Sequence, residues 1–126
     1  MKREDKVKIV VILLKDLFTF EYKSLKNMLN KDDILKYLKE NKEIFHQLYG
    51  VEKIGLFGSY ARNDQTNSSD IDILIDMESG TEHIFDKRLQ LRELLTERFS
   101  KNVDICHERA IKPFFREIVL KDAIYV

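Results

Sequence analysis

Cysteine, proline, glycine and tryptophan are all scarce in this chain. Its one cysteine, Cys106, excludes an intrachain disulfide framework and fits a reducing cytoplasm. One proline and four glycines leave no material for a long flexible linker. No sign of charge dominates: 22 basic residues meet 22 acidic ones, so no strong field advertises nucleic-acid or membrane binding. No apolar run approaches the ~20 residues of a membrane-spanning helix. His46, His83 and His107 lack mutual ligand spacing, and with a single cysteine a zinc site is not expected. What is left, 126 residues of which 44% are hydrophobic and 35% charged, suits one globular domain with one modest core.

The informative stretch runs from Gly58 to Asp76. An apolar run, Ile54 to Phe57, leads into Gly58-Ser59; a polar segment follows, and Asp70-Ile71-Asp72 opens a second apolar run. This reads as strand, tight turn, short helical turn and loop, and strand. The second run alternates, with Ile71, Ile73 and Ile75 on one face and Asp70, Asp72, Leu74 and Asp76 on the other. Residues two apart on a strand lie about 6.5–7 Å apart and point the same way. Asp70 and Asp72 are therefore placed to grip one object from one side, and carboxylates suit a hard cation such as Mg²⁺. Gly58 permits backbone angles closed to other residues, and Ser59 opens a short helix whose free N–H groups favour phosphate. If the two strands pair antiparallel, the phosphate turn and the carboxylates share one end of the sheet.

Gly-Ser, ten residues, then Asp-x-Asp resembles the signature of the polymerase β-type nucleotidyltransferases. Phe57-Gly58-Ser59-Tyr60-Ala61-Arg62 with Ser69-Asp70-Ile71-Asp72 is similar to their minimal, MNT-type branch, and the likeness covers roughly Asp32 to Val126. One departure is Asn63, where the family usually has glycine; asparagine tolerates left-handed backbone, so the turn is expected to survive. The resemblance implies a small α+β domain with a mixed sheet and helices packed on one face. It implies a third metal-binding acid on the next strand, and Asp104 stands in the matching place. Asp104 interrupts an apolar strand, Asn102 to His107, whose Val103 and Ile105 face the core. Its side chain shares the face of Asp70 and Asp72 if that strand pairs beside the second; a solvated edge acid is the alternative.

From the family follow two Mg²⁺ ions on Asp70, Asp72 and Asp104, ATP as substrate, and phosphates held by Gly58 and Ser59. Arg62 is placed either to reach a phosphate or to form an ion pair across the loop. The family further implies a HEPN-domain ribonuclease toxin as partner, silenced by transfer of AMP to one of its tyrosines. Two other readings stand beside this: an antitoxin that acts by occlusion alone, and a nucleotidyltransferase modifying a small molecule such as an aminoglycoside.

The rest of the chain reads in order as follows. Residues 1–30 form an added N-terminal element preceding a catalytic domain over residues 31–126. Val7 to Leu14 is apolar apart from Lys8 and has mixed strand and helix character, with helix favoured. A helix follows from an Asp32-Asp33 cap to Gly50, burying Ile34, Leu35, Leu38, Phe45 and Leu48. A long helix from about Glu82 to Phe99 is expected to bury Phe85, Leu89, Leu94, Leu95 and Phe99, with Lys87, Arg88, Arg92 and Arg98 solvated. Pro113 opens a final helix with Phe114, Phe115, Ile118 and Val119 inward, before an apolar tail, Ala123 to Val126.

Overall fold

The computed structural model describes Lys6, Ile9, Val10 and residues 29–126. Lys6, Ile9 and Val10 have helical backbone, and Ile9 is partly buried against the core. The remainder of the apolar run from Val7 to Leu14, and with it the expected N-terminal helix, lies outside the described residues.

The first core helix, α1 (Lys31–Glu40), is capped one residue before Lys31. The Asn30 side chain accepts from the Asp33 N–H at 2.9 Å and the Asp33 carboxylate accepts from the Asn30 N–H at 3.4 Å. Asp33 is thus the second half of a capping box rather than the cap itself. The single helix expected up to Gly50 is broken at Asn41, and α2 (Lys42–Tyr49) begins after it. Asn41 is buried, and both its main-chain N–H (3.1 Å) and its side-chain amide (2.9 Å) donate to the Tyr37 carbonyl. A short amide competing for backbone partners turns the chain without leaving a buried group unsatisfied. Gly50, at φ +72°, closes α2 as expected.

Then come β1 (Val51–Phe57), α3 (Gly58–Arg62), β2 (Ile71–Met77), α4 (Ile84–Phe99), β3 (Val103–His107), a 3-10 turn (Glu108–Ala110), α5 (Pro113–Asp122) and β4 (Ile124–Tyr125). The sheet order is β3-β2-β1-β4, with β1 antiparallel to β2 and β4, and β3 parallel to β2. A parallel neighbour requires a crossover, and α4 supplies it. The apolar tail, not expected to be a strand, pairs with β1; a side chain at Gly55 would meet the Ile124 carbonyl at 2.7 Å.

One core joins Ile34, Leu38, Phe45 and Tyr49 of α1 and α2 to α4 and to the inner face of the sheet, Ile54, Leu56, Ile71, Ile73, Ile75 and Val103. On α4 the buried set is Leu91, Leu94, Leu95, Arg98 and Phe99. That stripe follows the i, i+3, i+4, i+7 rule, and extended backwards it reaches Lys87 and Arg88, not Phe85 or Leu89. Phe85 and Leu89 are consequently exposed, at 67% and 40%, where the sequence reading buried them. Arg98, expected in solvent, is buried with its guanidinium 4.6 Å from the Tyr37 ring. The final helix also departs from expectation: Phe114, Phe115 and Ile118 are exposed, and α5 has no fully buried residue. Among the described residues no helix is long and apolar enough to cross a membrane.

Candidate active site

The site is assembled by strand register. Phe57 of β1 sits opposite Asp72 of β2, and Asp72 sits beside Asp104 of β3. Directly paired residues project to the same face, so the end of β1, Asp72 and Asp104 form a row across the sheet on the face opposite the core. Asp70 stands one residue before β2 and is exposed, as is Asp104; Asp72 is half-buried. The loop leading to Asp70 is held in place by Ser69, whose hydroxyl accepts from the Thr66 N–H at 2.8 Å, and by Lys101, which donates to the Asn67 carbonyl at 2.8 Å.

Gly58 begins α3 at φ +74°, and a side chain there would collide with the Asp72 carboxylate. The Gly-Ser turn and the Asp72 carboxylate therefore touch, as the antiparallel pairing predicts. Asn63 ends α3 in left-handed conformation at φ 60° and ψ 29°, so the residue that departs from the family pattern keeps the turn. The Asp64 N–H then donates to the Ser59 carbonyl at 3.0 Å, closing the turn below the Ser59 side chain.

Electrostatics single out Asp72. Burial, then the charges of Asp104 and Asp70, push its carboxyl above the ordinary value, while Arg62 works in the other direction. Arg62 itself pairs with Asp64 at 3.1 Å and Asp122 at 3.2 Å. Of its two expected roles, the structure therefore displays the ion pair across the loop, with the cation still felt at Asp72. Among the described residues no three His, Cys, Asp or Glu side chains close into a ready-made metal cage. The donor set nonetheless fits magnesium: all the donors are carboxylate oxygens, open to solvent on one side, and their mutual repulsion falls when a cation arrives. Mg²⁺ ordinarily takes one or two carboxylates and completes its shell with water and substrate phosphates.

Asp76, farther along the same face, is engaged by Arg109 at 3.0 Å, so it belongs to a structural ion pair. The sequence reading missed a groove of about 280 Å³ lined by Phe85, Arg88, Leu89, Arg92, Asp104 and Ile105. Its signal was present as two apolar residues four apart that do not share the phase of Leu91, Leu94 and Leu95.

Residues 38–126 match the nucleotidyltransferase domain family. The chain belongs to that family. It is similar to a candidate protein adenylyltransferase of Methanocaldococcus jannaschii, 36% identical over 95 residues, covering 75% of this chain and 95% of the relative. A protein adenylyltransferase of Thermococcus cleftensis, MntA, is 32% identical over 99 residues, covering 79% and 98%. A crystal structure of a toxin–antitoxin with AMP-PNP superposes with a TM-score of 0.55 at 27% identity, over 77% of this chain and 72% of that one. This nucleotidyltransferase thus has the minimal α+β fold and transferase character that the resemblance implies.

Proposed function

We propose that this nucleotidyltransferase is an antitoxin that transfers AMP from ATP to a tyrosine hydroxyl of a cognate HEPN-domain ribonuclease. The single observation that carries the reading is the row formed by the Gly58–Ser59 turn, Asp72 and Asp104 on one sheet face. The names of the relatives, protein adenylyltransferase and toxin–antitoxin, support the class of acceptor.

Each residue of the row has a part. Gly58 carries no side chain, so phosphate oxygens approach the main chain beside Asp72. The Ser59 hydroxyl and the unpaired N–H groups of the first turn hold the outgoing phosphates. Asp70, Asp72 and Asp104 would hold Mg²⁺, which when bound neutralises phosphate charge and makes the acceptor hydroxyl more acidic. The acceptor oxygen attacks the α-phosphorus, its proton passes to the Asp104 carboxylate, and the bond to the bridging oxygen breaks to release pyrophosphate. Arg62, tied to Asp64 and Asp122, stiffens the turn and moderates the charge at Asp72.

The test is intact-mass measurement of the partner co-expressed with wild-type chain or with Asp104→Ala. The expected result is a gain of one AMP unit or a small multiple with wild type and none with the variant, which still binds. Protection by the variant with no mass shift would establish occlusion instead.

A further inference from the structure

Across the sheet the order is Gly-Ser turn, Asp72, Asp104, and then the groove between the first half of α4 and β3, the edge strand. In-line displacement puts the attacking and leaving oxygens on opposite sides of phosphorus. With pyrophosphate leaving on the β1 side, the acceptor has to arrive from the β3 side, where the groove lies. Its volume is about 280 Å³ and one side is open to solvent, so it can receive one side chain from an approaching acceptor.

Its walls define what it takes. Phe85 and Leu89, one helical turn apart, present exposed apolar surface. Arg92 is committed to the main chain, its Nε donating to the Val103 carbonyl at 3.0 Å. Arg88 lies 5.7 Å from the Phe85 ring centroid and forms no salt bridge among the described residues. Asp104 is the one carboxylate in the lining. A groove whose wall mixes Phe85, Leu89 and Ile105 with the guanidinium of Arg88, which has no carboxylate partner among the described residues, favours an aromatic side chain carried on an acidic segment. The chain's balance of 22 basic and 22 acidic residues gives no field for RNA, which favours a protein as the occupant.

We propose that the Phe85–Leu89 groove is the acceptor subsite, seating a tyrosine of an acidic protein segment with its hydroxyl at Asp104. This rests on the transfer reading above and deepens it. The test uses labelled ATP, Mg²⁺ and three short peptides: a tyrosine flanked by glutamates, the same with lysines, and the glutamate peptide with phenylalanine for tyrosine. Wild type is expected to label the acidic tyrosine peptide at least about tenfold better than the lysine one, and the phenylalanine peptide not at all. Arg88→Glu is expected to reverse the preference, Arg88→Lys to keep it, and Leu89→Ser to raise the half-saturating peptide concentration about tenfold, with half-saturation by ATP unchanged. Equal labelling of the two tyrosine peptides, or unaltered kinetics in Arg88→Glu and Leu89→Ser, would overturn the groove assignment. So would labelling of none of the peptides by a chain that does modify its co-expressed partner, or transfer to RNA. A chain that modifies neither partner nor peptide removes the transfer reading as well.

Discussion

Gly58 carries two constraints at once, a left-handed backbone and direct contact with the Asp72 carboxylate. Gly58→Ala should lose stability by at least the ~1–2 kcal/mol of a left-handed non-glycine residue, and more as Asp72 is displaced. A thermal melt and a transfer assay on one preparation check both effects. Asp72 gives the opposite result. Its carboxyl is raised in the folded state, so its contribution favours folding below the ordinary carboxylate value and is lost as pH climbs through the raised one. Ionised Asp72 therefore costs stability at neutral pH. In divalent-free buffer Asp72→Asn is expected to melt higher than wild type at pH 7, with the difference vanishing below about pH 4; assayed with ATP and Mg²⁺, the variant is expected to lose transfer that wild type retains. Tyr125 offers a third measurement. Burial and its hydrogen bond to Glu108, at 3.0 Å, push its phenol up to about 12. The neutral form holds the fold below its usual pKa near 10, and that contribution is lost as pH rises toward 12. The wild-type minus Tyr125→Phe ultraviolet difference titration should show one phenol ionising near pH 12; a midpoint near 10 would contradict it.

At the scale of elements, what could be read from sequence depended on whether local chemistry or tertiary phase decided the outcome. The β1–α3–β2 unit was legible because alternation, a Gly-Ser turn and Asp-x-Asp all act within a few residues. β3 was legible because Asp104 interrupts an apolar run and so fixes which face is which. The helices were legible in rough position apart from the break at Asn41. The inward face of α1 and α2 (Ile34, Leu38, Phe45) was read correctly, whereas the first half of α4 and the start of α5 were misread in orientation. On α4 two apolar sets out of phase compete, and only contact with the sheet selects Leu91, Leu94 and Leu95 over Phe85 and Leu89. β4 was missed because its pairing with β1 is long-range and its two residues carry no period. This difference in phase is measurable. Phe114→Ser, at a position 80% exposed, should change stability by less than about 0.5 kcal/mol, whereas Phe45→Ala in the core should cost about 3–5 kcal/mol in urea unfolding.

At the scale of the whole molecule, the buried cluster is built from residues of α1 through β3, with Ile9, Leu29 and Ile124 packed against it, and the family match begins within α1. A chain starting at Met28 is therefore expected to keep its circular dichroism spectrum and cooperative melt; an unfolded product would make the preceding segment part of the core. The mixed sheet also imposes an order in time. β1 and β2 meet through a short antiparallel connection, whereas β3 reaches β2 only after the chain has run through α4. Closing the longer loop costs more chain entropy before any contact rewards it, so the half holding Gly58, Asp70 and Asp72 gains structure ahead of the strand holding Asp104. In pulsed hydrogen exchange during refolding, β1 and β2 amides should gain protection before those of β3. A chain emerging from the ribosome would then bring its phosphate turn and two acids together first and acquire its third acid last. On the transfer reading proposed above, a partly made molecule would be chemically silent, with no separate device needed to restrain it.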